Sequence, residues 1–151
     1  VEKKVEVVSD TILKREKMVL YLLINYYDDT FTKIKEAIEP NDFMVDLNKI
    51  IFSKIIESQE NEKEKILNII SNIEDANIQS HISEIMVTDY QITSIDKALE
   101  DIINIYSKEK LNKKKNEIIK KLENSQEYSQ EEIKSLEKEL SKVIVELAKR
   151  K

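Results

Sequence analysis

Not one of the 151 residues in this chain is glycine, and only one is proline. Tight β-hairpins and left-handed backbone positions lean on glycine, because any side chain there meets its own carbonyl. A chain without it must make its turns with other residues, Asn and Asp being the expected ones, and this disfavours hairpin-rich β folds. Charged residues make up 36 % and hydrophobic ones 40 %, the balance of a soluble helical protein with charged outer faces. Zero cysteine removes disulfides and thiolate metal sites and fits a reducing compartment. No apolar run approaches the roughly 20 residues of a membrane span, and the N-terminus carries no signal-peptide pattern. The expectation is an all-α cytoplasmic protein that needs no membrane.

Charge is unevenly placed. Residues 1–106 hold 12 Lys/Arg and 21 Asp/Glu, a balance of −9, whereas residues 107–151 hold 13 and 9, a balance of +4. The apolar pattern divides at the same place. Residues 1–9 mix Val with charge and read as a linker tail. A first helix is expected from Asp10, acting as N-cap, to about Tyr27, apolar on nearly all sides from Met18 onward and therefore central. Asp28-Asp29-Thr30 breaks it, and a short helix from Phe31 to Ile38 follows. Pro40 ends that helix, and Asn41 or Asp42 caps a third carrying Leu47, Ile51, Phe52 and Ile55. Asn61 with Glu64 opens a fourth helix with Ile66, Leu67, Ile69, Ile70 and Ile73, and a fifth spans Asp75 to Met86. Val87 to Thr93 is a connector, with Thr93 capping a long helix.

That helix changes character partway. Ile95 to Tyr106 is dense enough in apolar residues for a globular core, whereas Ser107 to Glu117 has only Leu111 among lysines, and Ile118, Ile119 and Leu122 then resume. A polar turn at Glu123 to Tyr128 and a capping box, Ser129 with Glu132, start a last helix. Its Ile133, Leu136, Leu140, Val143 and Leu147 repeat at 3, 4, 3, 4 and form one straight seam. The predicted architecture is an N-terminal helical bundle over 10–106, joined by the long helix to a C-terminal antiparallel hairpin over 107–151. In it Leu122 faces Ile133, Ile118 faces Leu136 or Leu140, and Leu111 lies near Val143. Ile144, Val145 and Ala148 fall off the seam. A two-helix hairpin needs one stripe only, so this second one is covered either by the bundle core or, the favoured reading, by a partner. Tyr128, at the turn, is a plausible anchor for it.

Catalytic chemistry finds no foothold. His81 is the sole histidine and reads as structural; the neighbouring carboxylates Asp28/Asp29, Glu100/Asp101 and Glu131/Glu132 do not share a helical face. No ligand set suggests a metal or cofactor, and without glycine there is no phosphate loop. Lys110 to Lys121 holds six lysines in twelve residues and could track phosphates. It has no aromatic and no arginine for base readout, which argues against direct nucleic-acid binding. A self-associating coiled coil built on the Ile133–Leu147 seam is the other alternative.

The order of these features resembles the C-terminal helicase-binding domain of bacterial DNA primase, the DnaG type. The resemblance is carried by the charged lead into a Leu-rich helix, Lys14 to Leu23, and by the break Glu39-Pro40-Asn41-Asp42-Phe43 before Leu47-Asn48-Lys49-Ile50. It continues in the Lys-rich long helix Ile95 to Leu122, the turn Glu123 to Tyr128 and the final helix from Ser129. It covers nearly the whole chain from about Asp10. It implies a bundle shaped like the N-terminal domain of the replicative helicase, and a hairpin that docks on the N-terminal domains of the hexameric DnaB-type helicase. It also implies a non-catalytic piece of a primer-synthesising RNA polymerase, monomeric alone, with the zinc-binding and polymerase domains upstream of the 1–9 tail. By the same resemblance, partner contacts fall on Tyr128, Glu132, Ile133, Ile144, Glu146, Leu147 and Arg150, beside the Val145 and Ala148 of the second stripe.

Overall fold

A computed structural model describes residues 9–57 and 68–150. Every regular element among them is helical: α1 (Asp10–Asn25), α2 (Tyr27–Ala37), α3 (Asp46–Glu57), α4 (Ala76–Val87), α5 (Ile95–Glu123) and α6 (Gln130–Lys149), with 3-10 turns at Pro40–Asp42 and Ser125–Glu127. A helical stretch at 68–71 precedes α4. The fold is all-α, in line with the expectation from the missing glycines. The expected capping pair Asn61/Glu64 and most of the fourth helix lie outside the described residues. No helix among the described residues is long and apolar enough to cross a membrane. By contact the chain divides into two units, Val1–Ile103 and Asn104–Lys151.

In the first unit α1 is central, packing against α2, α3 and α4. Its Val19, Leu20, Leu22, Leu23 and Ile24 are buried on different sides of one helix, and each such side chain contributes ~1.5–3 kcal/mol by leaving water. Ile34 and Ile38, Ile51, Phe52 and Ile55, and Ile78, Ile82 and Ile85 close the core around it. Phe43, in the approach to α3, packs on Phe52 with ring centroids 4.6 Å apart.

Several boundaries differ from the sequence reading, each for a local reason. Ser9 rather than Asp10 caps α1, its hydroxyl accepting the Ile12 amide, which leaves Asp10 in the first turn where its charge meets the positive end of the helix. The break after α1 falls at Tyr26 (φ −129°, ψ 44°), not at Asp28-Asp29-Thr30. Those residues belong to the first turn of α2. Thr30 stitches the break: its hydroxyl donates to Tyr26 O at 2.8 Å, with Leu22 O at 3.2 Å. Tyr26 is thereby turned outward and is 37 % exposed, not a core residue. Ser94, not Thr93, caps α5 by accepting the Lys97 amide. Asn41 and Asp42 do not cap α3; Asp42 instead closes a capping box on Glu39. Among the described residues the one positive φ belongs to Gln91, at 54°, where Asn or Asp was expected. The Asp89 carboxylate holds it by accepting the Gln91 amide at 2.8 Å, against a left-handed cost of roughly 1–2 kcal/mol.

Candidate functional site

The second unit is the tail of α5, a turn and α6. α5 runs unbroken for 29 residues through the lysine-rich stretch, about 43 Å at 1.5 Å per residue. Among the turn residues Asn124 has φ −103° and Tyr128 φ −121°. Ser129 and Glu132 form the predicted capping box, with Glu132 N donating to Ser129 Oγ at 3.2 Å. Lys114 Nζ, on α5, reaches Glu139 Oε1, on α6, at 3.1 Å, which ties the two helices of the hairpin together. Ile118 and Val143 are each only 4 % exposed, and Ile133, Leu136, Leu140 and Leu147 are half-buried beside them. The seam is thus withdrawn from solvent most fully at Val143 and partly along the rest of its length.

The residues singled out from sequence separate into two groups. Ile133 and Leu147 sit on the seam, Glu132 is engaged in the cap, and Tyr128 is half-buried at the turn with its amide on Ser125 O. Glu146 pairs with Lys149 at 3.7 Å, and the Arg150 amide closes the end of α6 on Leu147 O. Ile144 and Val145 are each 51 % exposed, and Ala148 is exposed with them. At 100° per residue these three share the outer face of α6 with Ser141, and exposed Lys138, Lys142 and Lys149 flank it. The face is apolar in its centre and basic along one rim. The lysines of the 110–121 stretch are less concentrated: Lys114 is taken by Glu139, and exposed Glu117 lies among the others.

The first unit holds a polar cluster that the sequence reading missed. Glu16 on α1 is fully buried. Its carboxylate accepts the amides of Met44 at 2.7 Å and Val45 at 3.2 Å, and the side-chain amide of Asn48 at 3.0 Å. Two of these donors are backbone amides just before α3 and the third is a side chain in its first turn, so a side chain 28 to 32 residues away anchors the chain where it enters α3. Asn48 then presents Oδ1 to His81 Nε2. Because Asn48 spends its N–H₂ on Glu16, His81 must donate from Nε2, which fixes the tautomer of its neutral ring. His81 Nδ1 faces Glu84 at 4.0 Å, and Lys17 pairs with Glu84. Burial, then the Lys17 charge, hold His81 below its ordinary pKa of 6.5, with Glu84 opposing them. Lys17 lowers the exposed Glu84 carboxyl. His81 is thus a satisfied structural histidine. One signal could have revealed Glu16: it falls on the buried stripe of α1 with Leu20 and Leu23, at spacings of 4 and 3. Among the described residues no group of three His, Asp or Glu is placed to hold a metal ion.

No family model, curated protein or solved structure matches the chain.

Proposed function

We propose that this chain is a helicase-binding domain of the bacterial primase type, a non-catalytic module that docks its C-terminal hairpin on the N-terminal domains of a hexameric DnaB-type helicase. The reading is supported by the order of sequence features described above. The observation that carries it is the outer face of α6. Ile144, Val145 and Ala148 are exposed while the seam beside them is buried or half-buried, and an apolar face on a charged hairpin supports reading it as an interaction surface. Tyr128 at the turn and Arg150 at the end of α6 are further candidate contacts on this reading. On this reading the chain is monomeric alone, acts in the cytoplasm, uses no cofactor, and couples primer synthesis to unwinding by tethering.

Calorimetric titration of the chain into the helicase N-terminal domains tests the proposal. An Ile144→Asp/Val145→Asp variant leaves the seam untouched, so its helical circular dichroism is expected to match the parent chain. Its affinity is expected to fall about tenfold or more, the loss typical of a buried interface anchor. Undiminished binding by the folded variant, or no binding by the parent chain, removes the reading.

A further inference from the structure

Tyr21 on α1, Tyr26 at the break after it, and Tyr90 in the connector between α4 and α5 converge within the first unit. The Tyr21 ring lies 4.8 Å from that of Tyr90 and 6.3 Å from that of Tyr26, tilted by 43° and 59°. With Asp89, Gln91 and Ile92 they line a cavity of about 150 Å³, room for several waters or one small ionic head group. Tyr90 turns its hydroxyl away, donating to Ile85 O at 2.7 Å, so it offers the site a ring. Burial pushes that phenol up to about 12, and the ring stays neutral across the ordinary pH range. Tyr26 is the exposed wall.

The connector is held in an unusual shape to make this wall. Thr88 Oγ1 ties it to Glu84 O at 2.7 Å, and Asp89 Oδ1 holds the left-handed Gln91 through its amide. Backbone held in a sparsely populated conformation by specific side-chain contacts clusters at functional places, ligand clamps among them. One Asp89 oxygen is used in that turn and the other is left for a ligand. No cationic side chain lines the cavity among the described residues, and residues 1–106 carry a balance of −9. Negative faces of tyrosine rings and a carboxylate favour a positive charge and repel an anion.

We propose that this tyrosine cleft is a binding site for an organic cation, the guanidinium or ammonium head of a basic side chain. The site is independent of the α6 face, and it would give the first unit a contact of its own with a partner's arginine or lysine. The rings supply the electrostatic attraction and Asp89 the counter-charge. The apolar edge of Ile92 accepts the methylenes of the stem.

Aromatic-ring NMR of the full chain tests it, with three probes titrated separately: N-acetylarginine amide, N-acetyltrimethyllysine amide, and the neutral N-acetylnorleucine amide. Saturable shifts of the Tyr21, Tyr26 and Tyr90 rings are expected with a cationic probe and not with norleucine. The arginine and trimethyllysine arms tell which head group the cleft prefers. Tyr26→Leu and Asp89→Asn are each expected to weaken cation binding about threefold or more; the second keeps the oxygen that holds Gln91, so the turn survives. Equal shifts with norleucine, no saturable shift with either cation, or unchanged affinity in a folded Asp89→Asn variant would overturn the assignment.

Discussion

Glu16→Gln is the sharpest test of how the first unit is held together. The substitution is nearly isosteric, so it opens no cavity and isolates the polar contribution. Glutamine offers one acceptor oxygen where the carboxylate offers two. Glu16 takes Met44 N on Oε2, and Val45 N and Asn48 Nδ2 on Oε1. The least costly orientation keeps the Oε1 pair and turns an N–H₂ toward the Met44 amide. One charge-assisted bond is lost, worth ~1.5–3 kcal/mol, and two donors then face each other. The anion at the start of α3 disappears as well, at a cost of ~0.3–1 kcal/mol. Together the expected loss is about 2–4 kcal/mol, against typical domain stabilities of roughly 5–15 kcal/mol. Urea unfolding followed by circular dichroism reads this as a lower midpoint with an unchanged slope. Amide exchange at Met44 and Val45 is expected to speed up with it. Glu36→Gln, on an exposed position of α2, serves as the control and is expected to change stability by less than about 0.5 kcal/mol. A Glu16→Gln variant as stable as that control would refute the argument that the entry to α3 is anchored from α1.

Two further outcomes follow from the same structure. His81 titrates below 6.5 when folded, so the unfolded chain takes up the proton first as pH falls. Its contribution is complete above 6.5 and is lost between there and the lower folded value; stability measured from pH 7 to 5 is expected to fall more steeply in the parent chain than in His81→Gln, and parallel curves would contradict it. Ser129→Ala removes the hydroxyl that accepts the Glu132 amide and is expected to cost ~1 kcal/mol, read as faster amide exchange at the start of α6; unaltered exchange there would contradict the cap.

What the sequence disclosed and what it hid divide along physical lines. Helical periodicity is a local property, and the stripes of α1, α3, α4 and α6 stand in the residues themselves. Caps are local too, but each competes with a neighbour one residue away: Ser9 with Asp10, and Ser94 with Thr93. The break at Tyr26 was misplaced because Asp28 and Asp29 look like turn residues yet serve equally well in the first turn of a helix. The cluster of Glu16, Asn48 and His81 joins three helices across 32 and 33 positions, and no window of sequence contains it. The tyrosine cleft was hidden for the same reason, although Tyr90 and the β-branched connector around it were visible. The outer stripe of α6 was legible because the seam beside it is so regular that Ile144, Val145 and Ala148 have no place in it.

The turn between α5 and α6 closes through a 3-10 turn in which no residue has a positive φ. Many helix ends filter their sequence through stereochemistry, admitting glycine or asparagine at one fixed place. This one applies no such filter between Asn124 and Tyr128. The side chains at the tip can therefore change without threatening the backbone that presents them. The side-chain ties are at its two ends, where Asn124 Nδ2 donates to Lys120 O and Ser129 pairs with Glu132. The tip of the hairpin is free to drift or to be selected for whatever it touches, and it can do so one residue at a time.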